Sequence, residues 1–433
     1  MINIKKYAEV TKCNLWTYTG EVTRVIGMGI ESKGPMANIG DICEVETRVN
    51  KEIITAEVVG FKDGHLMLMP LGPLEGIGPG CKVRAFGDKL SVKVDEGLLG
   101  KVVDWRAQPI DGEKIYCKDL VPIENTAPNP MARKRIDTPL ELGVRTIDGM
   151  LTVGKGQRIG IFAGSGVGKS TLMGMIARNA LSDINIIALI GERGREVREF
   201  IENDLKLEGL KRSIVVVATS DQPALMRLKA AKTATALAEY FREQGKDVLL
   251  MMDSLTRFSM AQREIGLAIG EPPVSRGYPP SVYAEMPKLL ERAGNSDRGS
   301  ITGMYTVLVD GDDFNEPITD TARGILDGHI VLSRKLANKG HYPAIDVLAS
   351  ISRVMSNIAS PEHKKLAGEI KKQMAIYKES EDLINVGAYN RGSSAEIDMA
   401  IDKMPDINGF LCQAVGDKVA FEETLIQMQQ IVG

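Results

Sequence analysis

The stretch "QRIGIFAGSGVGKSTLMGMIARNAL" (157–181) constrains the fold more than any other part of the chain. It reads as a buried apolar strand, a loop with three glycines, and a helix that opens at Lys169. Backbone N–H groups of such a loop form an anion nest, and the helix N-terminus adds its positive end. Residues Gly164, Ser165, Gly166, Val167 and Gly168 then cradle phosphates and Lys169 brings a point charge to them, with Thr171 just beyond. The Ser170 hydroxyl is placed to ligate Mg²⁺, so the expected ligand is ATP with its magnesium. The usual pattern, G-x-x-x-x-G-K-[ST], has glycine where this chain has Ala163; a methyl group fits there when φ is negative. The competing reading is a glycine-rich structural turn, which the strand–loop–helix context disfavours.

The remaining texture divides the 433 residues into three expected domains. Residues 1–95 carry short β-runs ("GEVTRVIGMGIES", "ICEVETRV", "IITAEVVGF", "HLMLMPL", "CKVRAFG") separated by turn signals, the pattern of a small barrel. Residues 96–355 follow, with the proline-bearing linker "ENTAPNPMARKR" (124–135) inside them. They alternate strands (157–164, 184–190, 214–219, 247–253, 301–310) with helices (169–181, 195–206, and one opening near Pro223). Such alternation predicts a parallel sheet with helices on both faces. Residues 356–433 show helical periodicity and no clear strand.

Composition excludes several classes. A net charge of −3 with dispersed Lys and Arg argues against a bulk nucleic-acid surface. The five cysteines (Cys13, Cys43, Cys81, Cys117, Cys412) show no CxxC spacing and no histidine at ligand spacing, so reduced cytosolic thiols are expected. No signal peptide opens the chain, and the longest apolar runs are strand-length. A cytoplasmic protein follows, able to dock at a membrane complex.

Four further residues are candidates. Asp253, closing "VLLMM", fits the second magnesium carboxylate of a P-loop enzyme; a cap on the helix that follows is the lesser alternative and does not exclude that role. Glu192 follows the strand "INIIALI", on a sheet edge that a neighbouring P-loop strand could share, where a carboxylate polarises water. A surface glutamate at a helix start explains it as well. In "GHYPAIDVLASISRVM", residue type alone favours a salt bridge for Arg353 and a core contact for Tyr342, over an arginine finger and a base-stacking ring.

Six long stretches settle the choice by resemblance. "GVRTIDGMLTVGKGQRIGIFAGSGVGKSTLMGMIAR", "IGERGREVREF", "VLLMMDSLTRFSMAQREIG", "EPPVSRGYPPSVYAEMPKLLERAG", "VLVDGDDFNEPITDTARGILDGHIVLSR" and "GHYPAIDVLASISRVM" resemble the type III secretion ATPases. Those are relatives of the rotary ATP synthase catalytic head, and the likeness covers almost the whole chain. It implies an α/β fold: a RecA-like P-loop core with a parallel sheet, an N-terminal β-barrel and a C-terminal helical domain. It makes Ala163 an ordinary variant. It assigns water activation to Glu192 with Arg193 close by, an arginine finger to Arg353, and base stacking to Tyr342.

In the ATP synthase head, different subunits supply the glutamate and the "SxSR" arginine, whereas this chain holds both Glu192 and Arg353. The resemblance thus implies a homohexamer with ATP sites between subunits. It also implies partners: a stator-like dimeric regulator, a coiled-coil stalk protein, an export gate and chaperone–substrate complexes, at the cytoplasmic face of a membrane-embedded export apparatus. The segment "VTRVIGMGIESKGPMANIGDICEVE" is closer to the flagellar branch than to virulence injectisomes. A short leader of about twenty residues precedes the barrel, and Trp105 and Arg106 replace the usual turn in "GKVVDWRAQPIDG" without expected catalytic effect. A rotary synthase subunit, an RNA translocase and a non-enzymatic nucleotide-binding subunit are the competing classes.

Overall fold

The computed structural model describes residues 18–48, 51–309 and 313–433, the side chain of Asp88 excepted. The expected short leader and Cys13 lie outside the described residues. Six strands, β1 (Tyr18–Ile26), β2 (Gly29–Lys33), β3 (Asp41–Glu46), β4 (Ile53–Lys62), β5 (His65–Pro70) and β6 (Lys82–Lys89), close a barrel in the order β1-β2-β5-β4-β3-β6. Alternation along β3 sends Asp41, Cys43 and Val45 inward, where the two apolar side chains join Val22, Ile30, Val58, Leu68 and Val83 in the barrel core. The first apolar run is two strands rather than one. Gly27, at φ +56°, turns the hairpin between them.

Next, β7 (Ser91–Val94) pairs with β9 (Asp119–Pro122), while β8 (Val102–Val103) leaves to join the main sheet. That sheet holds β10 (Arg158–Ala163), β11 (Ile184–Glu192), β12 (Ser213–Thr219), β13 (Asp247–Asp253), β15 (Ser300–Leu308) and β16 (Gly328–Leu332). Its order is β17-β16-β10-β15-β13-β11-β12-β8, with β14 (Gly294–Asn295) antiparallel on β15 and β17 (Ile351–Ser352) antiparallel on β16. Every other ladder is parallel, as the alternating pattern requires. Both faces of the central strands are buried. Ile186, Val216 and Leu250 face the core under the helices Ala224–Glu243, Leu255–Ala268 and Pro280–Leu290. Ile187, Val217 and Met251 face the core shared with the helices Lys169–Asn179 and Arg145–Met150.

One predicted helix is broken. The run 195–206 forms a helix over Gly194–Glu199, then a π turn over Phe200–Leu205, then a second helix over Lys206–Lys211. The wider turn lets Phe200 and Leu205, five residues apart, both enter the core. After residue 355 the described chain is helical, with long helices at Pro361–Asn385, Ala395–Leu411 and Phe421–Val432. No helix among the described residues is long and apolar enough to cross a membrane, and the four described cysteines are free thiols.

Buried charges tie the barrel to the sheet domain. Lys229 Nζ, on the long helix Ala224–Glu243, bonds Glu57 of β4 at 2.8 Å and Glu124 of the linker at 3.0 Å. Lys232 reaches Glu124 at 2.9 Å and Glu285 at 3.1 Å. Truncating one member of a buried pair strands its partner's charge. Lys229→Met is therefore expected to lower stability to urea unfolding by about 3–5 kcal/mol. Adding Glu57→Gln should restore part of that loss; equal instability of single and double variants would refute the pairing.

Candidate active site at the phosphate loop

The loop stands where the sequence puts it, at the carboxyl end of β10 between β15 and β16. Ala163 ends that strand in extended backbone, so its methyl group is accommodated without strain. Gly166 and Gly168 adopt φ of +75° and +88°. Gly168 is the N-cap of the helix Lys169–Asn179, and a Cβ there would also come within 3.5 Å of the Tyr342 ring. The backbone conformation is what favours glycine here, since a Cβ would meet the ring only at ordinary contact distance. Ser165, Gly166 and Ser170 are exposed, while Val167 packs its side chain into the core. Thr171 turns to the Asp204 carboxyl rather than to the loop.

Lys169 is the centre of a compact charge cluster. Its ammonium contacts Asp253 Oδ1 and lies 3.8 Å from Glu192 Oε1. Burial opposes its charge, but the two carboxylates outweigh that and hold the amine above its ordinary range. Asp253 comes from the end of β13, two strands from β10, and Thr306 Oγ1 on the intervening β15 donates to its Oδ1 at 2.7 Å. Asp253 does not cap the next helix. Ser254 does, accepting from the Arg257 N–H at 3.2 Å. That leaves the Asp253 carboxylate to the cluster.

Glu192 ends β11, which is not adjacent to β10: β13 and β15 stand between. The expectation of a shared strand edge is corrected by this order. What brings Glu192 in is a bulge. The register with β12 slips between Ile190 and Glu192, where Gly191 sits at φ +70° with its α-carbon against the Arg257 side chain. Burial, followed by the neighbouring Asp253 charge and despite Lys169, pushes the Glu192 carboxyl up to about 7. Such a group exchanges a proton near neutrality, as water activation needs.

Tyr342 is half exposed over Gly168, so the core contact favoured by residue type is not what forms. Arg193 points outward at the start of the helix Gly194–Glu199 and pairs with Glu196 at 3.3 Å. Arg353 lies away from the loop. It is exposed just after β17, its N–H bonds Asp327 O at 3.0 Å, and Nη2 bonds the Arg323 carbonyl at 3.1 Å rather than a carboxylate. The expected salt bridge is thereby replaced by a backbone contact. Ala163 pairs with Leu332 at the end of β16, and Asp327 immediately precedes that strand, five residues before Leu332. At about 3.3 Å per residue, Arg353 is on the order of 16 Å from its own loop along the strand axis.

Two partners escaped the sequence reading. Thr306 is one of several polar residues on β15, with Ser300 and Thr302, so residue type alone does not single it out. Arg257 packs beside Gly191 with its Nε buried and without a hydrogen-bond partner among the described residues. No spacing rule links it to a loop 88 residues earlier, counting from Lys169.

Comparison with known proteins agrees with this geometry. Residues 143–352 match the ATP synthase alpha/beta family nucleotide-binding domain, residues 22–87 that family's beta-barrel domain, and residues 359–430 the T3SS EscN ATPase C-terminal domain. The flagellum-specific ATP synthase of Bacillus subtilis is 59% identical over 96% of this chain and 95% of its own length. Among solved structures, the assembled ATPase EscN of the enteropathogenic E. coli type III secretion system is 46% identical, with a TM-score of 0.90 over 96% of this chain and 100% of that one. The same ATPase in complex with its central stalk EscO aligns with a TM-score of 0.87, again at 46% identity and with the same coverage. Loop, acidic cluster and full-length likeness together identify an ATP-hydrolysing enzyme: the chain belongs to the ATP synthase alpha/beta family, in its branch of flagellar and type 3 secretion export ATPases.

Proposed function

We propose that the chain is the ATPase of a flagellar export apparatus and works as a homohexamer whose ATP sites lie between subunits. The observation that carries the shared site is the separation within one chain. Lys169, Glu192 and Asp253 converge at the loop, whereas Arg353 is exposed at the far end of the sheet's edge. An arginine there serves a neighbour's site more readily than its own. The assembled form of EscN and its complex with a central stalk support a ring and a stalk partner for this chain.

In this reading residues 164–168 cradle the phosphates and Lys169 moves from Asp253 to phosphate oxygens when ATP arrives. Hard oxygen donors, the Ser170 hydroxyl and the Asp253 carboxylate oriented by Thr306, fit Mg²⁺, which favours one or two protein oxygens plus phosphate and water. The ion would neutralise charge on the transferring phosphate. Glu192 orients the attacking water, Arg193 and Arg257 add positive charge at the rim, and Tyr342 stacks on the base. Domain limits at 95 and 355 are consistent with barrel closure at Lys89 and with the helices that follow β17.

The stator-like regulator, export gate and chaperone–substrate complexes, and docking at the cytoplasmic face of the membrane, belong to the same proposal. The flagellar branch is favoured over the injectisome by the 59% identity to a flagellar relative, against 52% to the type 3 secretion system ATPase of Xanthomonas euvesicatoria. In a strain lacking its own flagellar ATPase, this chain is expected to restore swimming and Lys169→Ala to fail. Rescue confined to a strain lacking an injectisome ATPase would assign it to virulence secretion instead.

A further inference from the structure

The segment joining the helices Ala395–Leu411 and Phe421–Val432 is clamped by side chains of the nucleotide-binding domain. Thr146 Oγ1 donates to the Leu411 carbonyl at 2.9 Å, and the Arg145 guanidinium donates to the Cys412 carbonyl. Arg178 Nη2 donates to Val415 O at 2.7 Å and Asn179 Nδ2 to Asp417 O at 3.2 Å. Arg178 and Asn179 end the very helix that Lys169 begins.

Gln413 is the second residue of this segment, only 5% exposed. Its side-chain oxygen accepts from the Arg145 N–H at 2.9 Å. Its Nε2 donates to Gly143 O at 2.9 Å and to Asp417 O at 3.0 Å. All its amide groups are used, and no shorter or singly functional side chain could serve as both acceptor and double donor there. With the side chain pinned, the Gln413 backbone N–H donates to the carbonyl of Tyr342 at 2.9 Å. Tyr342 in turn lays its ring against Gly168 of the phosphate loop. The contacts close a circuit: loop, helix Lys169–Asn179, clamped segment, Gln413, Tyr342, loop.

We propose that Gln413 is a positioning residue for ATP hydrolysis, fixing the Tyr342 ring over the phosphate loop from the C-terminal helical unit. This rests on the reading that Tyr342 stacks on the base. Removing the amide frees two buried carbonyls and one N–H, so the segment shifts and the Tyr342 carbonyl loses its fixed donor. The partners of Gln413 itself, Gly143, Arg145, Asp417 and Tyr342, lie outside the phosphate cradle, so the loss falls on base binding.

Gln413→Ala is expected to raise KM for ATP about tenfold, as the loss of a buried hydrogen-bond set predicts, with kcat within about twofold. Inhibition by magnesium pyrophosphate, which has phosphates and no base, should keep its KI. Tyr342→Ala should raise KM similarly, and the double variant should be no worse than Tyr342→Ala alone. Additive effects, an equal rise in KI for pyrophosphate, or an unchanged KM in Gln413→Ala would each overturn the positioning role. An unchanged KM in Tyr342→Ala would overturn the stacking reading and this proposal with it. Should Gln413→Ala fail to fold, Gln413→Glu enters the same cycle: it keeps the acceptor toward Arg145 and loses both donors.

Discussion

Arg353→Ala is expected to lower kcat by about 10³–10⁵-fold, the range for arginine fingers on phosphoryl transfer, with little change in ATP affinity. A guanidinium near a dissociating phosphoryl group acts on charge that spreads only in the transition state. The remainder of the expectation comes from place. Arg353 is exposed, bonds only backbone carbonyls among the described residues, through its own N–H and Nη2, and is on the order of 16 Å from its own loop along the strand. Loss of activity should therefore be a property of the interface and not of the subunit. Mixing inactive Lys169→Ala with inactive Arg353→Ala chains should restore activity, because some interfaces then pair an intact loop with an intact arginine. No recovery in verified mixed rings would sink the shared site. Recovery requires assembly, so specific activity should also rise with protein concentration.

Glu192→Gln is expected to lower kcat by about 10²–10⁴-fold, the usual contribution of a positioned proton acceptor, while nucleotide binding persists. The pH dependence gives this prediction its sign. Burial and Asp253 raise the Glu192 carboxyl to about 7, so it is largely protonated below neutrality and ionised above. Because kcat/KM reports the free enzyme, it should climb with pH through about 7 and level off above. The Gln variant should lose that limb and keep only its low rate. A wild-type profile flat from pH 6 to 8 would count against Glu192 as the proton acceptor. Asp253→Asn offers a control, since removing the adjacent charge should shift the limb to lower pH.

Much of the site was legible because its chemistry is local. The loop 164–168 and the helix after it are contiguous, and glycine at Gly166 and Gly168 announces the positive φ both adopt. Strand termini were also legible. Apolar runs ending in Asp253 and Glu192 place carboxylates at one end of a parallel sheet whatever the strand order. Strand order itself was not legible, and so the position of Glu192 relative to β10 was misjudged. Residue type likewise misread Arg353 and Tyr342, whose exposure depends on what is packed beside them.

The sequence by itself determined the class of fold and the identity of the phosphate loop, since hydrophobic periodicity, turn residues and a contiguous motif are short-range properties. Tertiary structure decided the rest. The bulge at Gly191 aims Glu192, Thr306 orients Asp253, and Gln413 holds Tyr342 over Gly168 across 71 residues of chain. Each of those contacts joins distant segments through hydrogen bonds whose geometry only the folded packing supplies. The same packing puts Arg353 out of reach of its own loop.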